Sequence, residues 1–395
     1  MYVKFLLFFM LCLAINFNFS SAKESLPEDT QVVSLAETKE NTFIDYKTSH
    51  FKKGTFDKVY LGVLDKNTNA AKITLSRQNN KYLPKGVYTS PFFEVSEFTE
   101  LIISQNSTTP RGTSIEIQAQ VMIDGKPSNW FSWGKQKSLE PSSSAKTNPQ
   151  DNNILLDIDT FNILNDKKST CFRYRVIFST DNTAVSPELN LIAFSFRKIN
   201  NNEIFSLKLP NNISDLNKEK INLQVPCFSQ NSYNKDIASR ICSPTSLSMV
   251  LGYYNINVNA EKIAASVYDN TNDIYGNWVF NTAYLSKYNF TSYVAFLNSI
   301  EDIVKELKEG RPVIASVIYK NSLNVKKDLP VLNNAPITYT FGHIVVIRGI
   351  VTENNITYFL VNDPAAPSDN VLRKYDIKEF SQASTGVFYI IKKND

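Results

Sequence analysis

The hydrophobic period of this chain changes once, near residue 200, and that change limits its fold more than any other feature. Before it, apolar or alternating runs at 72–75, 100–104, 114–123, 171–179 and 190–196 are separated by turn-like clusters at 106–112, 124–129 and 141–153. Alternation of period two belongs to strands, and no helical period persists in this half. Short strands punctuated in this way predict an all-β sandwich over residues 51–200.

Beyond the change both periods occur. Helices are predicted at 244–254, 259–267 (capped by Asn259), 278–288 and 300–308. Strands rich in Val, Ile, Phe and Tyr are predicted at 312–319, 343–348, 358–361 and 387–392. Helices first and a mostly antiparallel sheet afterwards predict an α+β domain over 221–395. Residues 201–220, polar and punctuated by Asn and Pro, read as a linker. With 395 residues the chain has room for two such domains.

The first residues read as a targeting segment. Lys4 precedes an unbroken apolar run from Phe5 to Ile15, and Ser20-Ser21-Ala22 supplies small residues at a cleavage spacing. A bilayer span takes about 20 apolar residues, so a cleaved secretory signal over 1–22 is the better reading. The expectation is a secreted, extracellular protein with no transmembrane segment after cleavage. Residues 23–50, rich in Glu, Thr and Ser, read as a loosely ordered lead-in. A net charge of +4 without a basic block makes no case for nucleic acid. Cys12 leaves with the signal, so Cys171, Cys227 and Cys242 remain, which is no disulfide framework. Cys171 and Cys227 either pair or are buried, and burial is favoured slightly.

The chain has only two histidines, His50 in the lead-in and His343 in Phe341-Gly342-His343-Ile344-Val345 at the mouth of a predicted strand. On its own a lone His is more often structural, so its company decides. Cys242 precedes Ser243-Pro244-Thr245-Ser246, and Pro suits the first turn of a helix. A thiol at a helix N-terminus is pushed toward the thiolate by free amides and the helix dipole. Taken alone, the lesser alternative for Cys242 is an inert buried thiol. Asp363 ends a predicted strand in Val361-Asn362-Asp363-Pro364. A turn at 353–355 makes the two strands antiparallel, so the start of one lies beside the end of the other. Hairpin geometry thus brings His343 and Asp363 together, where a carboxylate fixes the tautomer of the imidazole. The bland alternative is an Asp-Pro turn. Gln230 in Val225-Pro226-Cys227-Phe228-Ser229-Gln230 offers a side-chain amide to an oxyanion. Each signal is weak singly, and the ordered set Gln, Cys, His, Asp is far more specific.

These segments resemble the C39-like branch of papain-like cysteine peptidases, in a secreted bacterial subgroup. The resemblance covers about 221–392 and includes Gly276-Asn277-Trp278-Val279-Phe280-Asn281-Thr282-Ala283-Tyr284 and Val361-Asn362-Asp363-Pro364-Ala365-Ala366. It implies a papain-like fold with Cys242 as nucleophile, His343 as base, Asp363 as its orienter and Gln230 in the oxyanion hole. The segments 88–92, 98–109 and Trp130-Phe131-Ser132-Trp133-Gly134 resemble the β-rich module that precedes such peptidases. Family members attached to exporters cleave leaders after Gly-Gly, a substrate not carried over to a chain with a signal and no transporter segments.

The expected activity is acyl transfer from a peptide or protein substrate to water, with no cofactor and no metal. Trp278, Asn281 and Tyr284 are candidates to line the cleft, with packing between helix and sheet as the alternative. An amidase or acyltransferase would use the same thiol chemistry. A non-catalytic exported protein binding glycan or protein is the third reading, opposed by the intact polar set. Trp130 and Trp133 would favour cell-wall or glycan contact if exposed and coplanar, and a core role if buried.

Overall fold

The computed structural model describes residues 32–34 and 41–394, apart from 68, 138 and 200–204. The signal segment and most of the lead-in lie outside the described residues. The first unit is built on β1 (Thr42–Asp45), β2 (Phe92–Phe98), β3 (Glu100–Thr108), β4 (Thr113–Ile123), β5 (Phe131–Gln136), β6 (Ile154–Asp157), β7 (Thr160–Ile163), β8 (Ser169–Thr180) and β9 (Glu188–Arg197). One sheet runs β2–β8–β4–β5 and a second runs β6–β7–β3–β9, with β1 also on β9. All of these pairings are antiparallel. Alternate residues of β8 point inward, and Phe172 and Tyr174 meet Phe194 of β9 at ring separations of 4.6 and 5.0 Å. The two sheets therefore pack face to face through aromatic rings, as a sandwich does.

The lead-in departs from expectation at its end. Thr42–Asp45 forms β1 and pairs Phe43 with Phe194, and Phe43 is buried. Four alternating residues are too few for period analysis, and burial against β9 supplies the order.

The second unit contains α1 (Cys242–Tyr253), α2 (Ala260–Val267), α3 (Trp278–Tyr284), β10 (Phe290–Phe296), α4 (Ile300–Lys308), β11 (Val313–Lys320), β12 (Tyr339–Glu353), β13 (Ile356–Asn362), β14 (Leu372–Asp376), α5 (Ile377–Ala383) and β15 (Ser384–Lys393). Its sheet runs β10–β15–β11–β12–β13–β14, antiparallel throughout. Strands β10 and β14 escaped sequence analysis: β10 follows directly on a helical stretch, and β14 is mostly polar. Every residue of α1 from Ser243 to Leu251 is buried, which marks a core helix. Asn354 and Asn355 join β12 to β13 at φ of 50° and 64°, the two left-handed positions that a tight hairpin turn requires. From residue 205 onward the linker is pinned rather than free. Leu207 and Leu216 are buried, the Leu207 amide donates to the Ser381 carbonyl at 2.9 Å, and residues 213–218 form a 3-10 helix.

The two units share a buried polar seam. The Val294 amide donates to Ser104 Oγ at 2.8 Å, and Ser195 Oγ donates to the Val294 carbonyl at 2.6 Å. Asn106 Nδ2 donates to the Ser292 carbonyl at 2.9 Å, and the Ser292 amide returns a bond of 3.1 Å to Asn106 Oδ1. Buried polar groups satisfied in this way fix one geometry, because breaking any of them strands its partner away from water.

Candidate active site

Cys242 is the first residue of α1, half-buried, with no acidic side chain in the first helical turn. Helix α1 packs on β12, where Ser246 Oγ donates to the Ile344 carbonyl at 3.4 Å. That contact sets the N-terminus of the helix close enough to His343 for the Cys242 thiol and the imidazole to shift each other's titration. His343 Nε2 meets Asp363 Oδ1 at 2.7 Å, which leaves Nδ1 for the sulfur. Both His343 and Asp363 are buried. Of the three side chains predicted from sequence, His343 and Asp363 are hydrogen-bonded, and Cys242 lies within electrostatic reach of His343.

Electrostatics favour an ion pair. Burial works against a charged Cys242, but the hydrogen bond and charge of His343 and the amides of Ile344 and Ser243 outweigh it, so its thiol lies below the ordinary value. Burial also opposes the imidazolium, yet the Asp363 carboxylate and Cys242 push His343 up to about 10. Asp363 is kept low against its own burial by His343, by the Tyr375 hydroxyl and by the Ala365 amide. A thiolate facing an imidazolium is the reactive state of such a thiol.

Asp363 is fixed on every side. Its Oδ2 accepts from the Tyr375 hydroxyl at 2.6 Å, and its Oδ1 also accepts from the Ala365 amide at 2.9 Å. Sequence reasoning missed Tyr375, which sits on β14 in a polar stretch carrying no motif. Tyr319 of β11 was missed too, and its buried ring stands edge-on to His343 at 6.4 Å.

Gln230 is buried on a short turn that docks on the loop after Asp363. Its amide donates to the Pro364 carbonyl at 2.8 Å, while Asn231 Nδ2 donates to Ala365 and Ser229 Oγ to Ala366. Its side-chain Oε1 accepts no hydrogen bond from the described residues.

The three cleft candidates differ in burial and in the partners they hold. Asn281 is fully buried, its Oδ1 accepts from Ser243 Oγ at 2.8 Å, and its Nδ2 donates to the Tyr275 and Asn277 carbonyls, both at 2.8 Å. Fully buried and bonded through both ends of its amide, it holds the residue after Cys242 and does not line a cleft. Tyr284 is buried, with its hydroxyl 3.2 Å from that of Tyr288. Trp278 is half-buried at the start of α3, and its amide reaches Asp159 of the first unit at 2.8 Å. Packing accounts for all three.

Cys171, Cys227 and Cys242 are all free, and Cys227 is exposed rather than buried. Cys227 is held beside Asn362, whose Oδ1 is 3.4 Å from the sulfur. Trp133 is buried, with its indole N–H donating to the Asp159 carbonyl at 2.9 Å. Trp130 is half-buried under Arg173 and Arg175, at 5.0 and 4.5 Å from its ring. The pair is not an exposed coplanar platform. Among the described residues no cluster of three or more His, Cys, Asp or Glu side chains could hold a metal ion, and no helix is long and apolar enough to cross a membrane.

Residues 222–393 match the Peptidase C39 like family, and residues 40–196 match the Peptidase C39 N-terminal domain. The second unit belongs to the C39-like peptidase family. The C39-like unit is similar to two solved peptidases. A double glycine motif protease from an AMS/PCAT transporter, crystallised with its leader peptide, is 20% identical over 45% of this chain and 99% of that one, at a TM-score of 0.30. The peptidase domain of Streptococcus ComA, a bifunctional ABC transporter, is 15% identical over 45% of this chain and 99% of that one, at 0.28. A Clostridium thermocellum endo-1,4-β-D-xylanase complexed with xylohexaose is 11% identical over 42% of this chain and 32% of that one, at 0.19. No curated protein matches the sequence.

Proposed function

We propose that the protein is a secreted cysteine peptidase of papain-like architecture that cleaves peptide bonds through Cys242, His343 and Asp363. One observation carries this reading: a buried imidazole is hydrogen-bonded to a buried carboxylate that is itself bonded to Tyr375, and the same imidazole draws down the pKa of a helix-terminal thiol. The C39-like family match supports the same class of reaction.

In this mechanism the Cys242 thiolate attacks the scissile carbonyl. The developing oxyanion takes hydrogen bonds from the Cys242 amide, at the start of α1, and from the Gln230 side chain. The His343 imidazolium gives its proton to the leaving amine, and an acyl-thioester remains on Cys242. His343, now neutral, takes a proton from water, which attacks the thioester, releases the acid and restores the thiolate–imidazolium pair. Asp363 keeps Nε2 of His343 occupied, so that Nδ1 faces sulfur in both steps.

Profiling of purified mature protein against a peptide library tests the reading, with Cys242→Ala as control. Hydrolysis and labelling by a thiol-directed electrophile at residue 242 should both vanish in the variant. Hydrolysis that survives in Cys242→Ala would overturn the assignment.

A further inference from the structure

We propose that the first unit is part of the catalytic scaffold, supplying Asp159 as a positioning residue that seats Cys242 from behind. The inference rests on Cys242 being the nucleophile, as argued above.

Asp159 lies in the tight turn between β6 and β7 and is buried. The turn is anchored from within its own unit, since the Asp159 carbonyl accepts the Trp133 indole N–H at 2.9 Å. The side chain points across the boundary, and Oδ2 accepts the backbone N–H of Trp278 at 2.8 Å. Trp278 is the first residue of α3, where backbone N–H groups have no partner inside the helix. Asn277 caps the same turn by accepting from the Phe280 amide at 3.3 Å, and its Nδ2 donates to Ser144 Oγ, also of the first unit, at 3.2 Å. The start of α3 is therefore gripped by two loops of the first unit.

What α3 then grips is the nucleophile's seat. Asn281, one turn along, accepts from Ser243 Oγ, and Ser243 also lies 3.0 Å from the Tyr389 hydroxyl. Ser243 directly follows Cys242. Every group in the path Asp159, Trp278, Asn281, Ser243 is at least half-buried, so a shift at one end has no solvent gap in which to dissipate. The seam through Ser104, Asn106 and Ser195 differs, because it meets β10 and passes from Ser292 Oγ only to the Thr282 carbonyl of α3, at 2.7 Å, without bonding Ser243 or Asn281. Burial first, against hydrogen bonds that hold it down, pushes the Asp159 carboxyl up to about 7. The acceptor oxygen rather than the charge is what α3 uses, and an amide can supply it.

The test compares full-length Asp159→Ala and Asp159→Asn with wild type, well below the melting temperature of each. The main readout is the rate at which iodoacetamide alkylates Cys242, resolved from Cys171 and Cys227 by peptide mass mapping. The second readout is kcat and KM on a cleaved peptide. Asp159→Ala should slow alkylation and kcat about tenfold with KM within twofold, as expected for a displaced reacting group. Asp159→Asn should restore both to within about threefold, a rescue that lost stability alone would not track. A folded Asp159→Ala protein alkylated at the wild-type rate overturns the proposal. Should that variant not fold, Trp133→Phe, which frees the Asp159 turn, takes its place, and an unchanged alkylation rate there overturns the proposal equally. Because alkylation needs no hydrolysis, a wild type that cleaves no peptide sinks the peptidase reading without deciding this one.

Discussion

Tyr375→Phe isolates the support beneath the His343–Asp363 pair. The ring of Tyr375 is fully buried, and its hydroxyl donates to Asp363 Oδ2 at 2.6 Å. Phenylalanine keeps the packing and deletes one donor to a carboxylate, a bond worth about 1.5–3 kcal/mol. With an unfolding entropy of about 2.1 cal/mol/K per residue, a loss of about 2 kcal/mol lowers Tm by roughly 2.5 °C if both units melt together, or roughly 5.5 °C if the second melts alone. The buried seam between the units favours the smaller figure. The pH dependence follows in sign. Asp363 lies below its ordinary value in the fold, so it contributes stability above its unfolded value and loses it as pH falls through the folded one. Deleting the Tyr375 hydroxyl raises the folded value, so both acid unfolding and the acid limb of activity move to higher pH. A less firmly oriented imidazole should lower kcat about tenfold, since 1.4 kcal/mol of lost transition-state stabilisation is one decade. Calorimetry across pH and a pH–rate profile read the two effects. A Phe variant with the wild-type acid limb and wild-type kcat would refute the idea that Asp363 depends on Tyr375.

Gln230→Ala should lower kcat by roughly 10²–10³ with KM changed little, as the loss of an oxyanion donor does, and a variant at wild-type kcat would remove Gln230 from the mechanism. His343 is raised to about 10, so its contribution to stability is full below its unfolded value of about 6.5 and is lost as pH rises through about 10. Hydrolysis and Cys242 alkylation should therefore keep an acid-side plateau through neutrality, and hydrolysis should fail on an alkaline limb near pH 10. An alkaline limb near 7 would contradict the ion pair. Gly134→Ala should cost about 2 kcal/mol or more, read by thermal melting, because φ is +86° and a Cβ would run into the backbone of Ser143 and Ser144. Unchanged melting would mean that this strand relaxes freely.

Much of the fold was legible because its signals are local. Helix α4 matches its predicted bounds to the residue, since Ser299 and Asp302 form a capping box over an apolar stripe at helical spacing. Asn259 caps α2 through its side chain, as its position implied. Asn354-Asn355 forces the hairpin that brings β13 back along β12, so the meeting of His343 with Asp363 was implied by twenty residues of chain. Strands such as β1 and β14 were not legible, because four or five partly polar residues become a strand only when a neighbour offers its edge.

The sequence by itself therefore determined a β-rich first half, a mixed second half, a Cys at a helix start and an Asp just past a strand, while His343 lies inside β12, which begins at Tyr339 rather than at the histidine. Tertiary structure alone decided what surrounds that trio. Tyr375 reaches Asp363 through a strand with no pattern, and Asn281, Ser243 and Tyr389 converge behind Cys242 from three separate elements. Asp159 arrives from the other unit, 119 residues away from Trp278. Such encounters leave no trace in local periodicity, because they follow from how whole sheets and helices pack rather than from any neighbour in the chain.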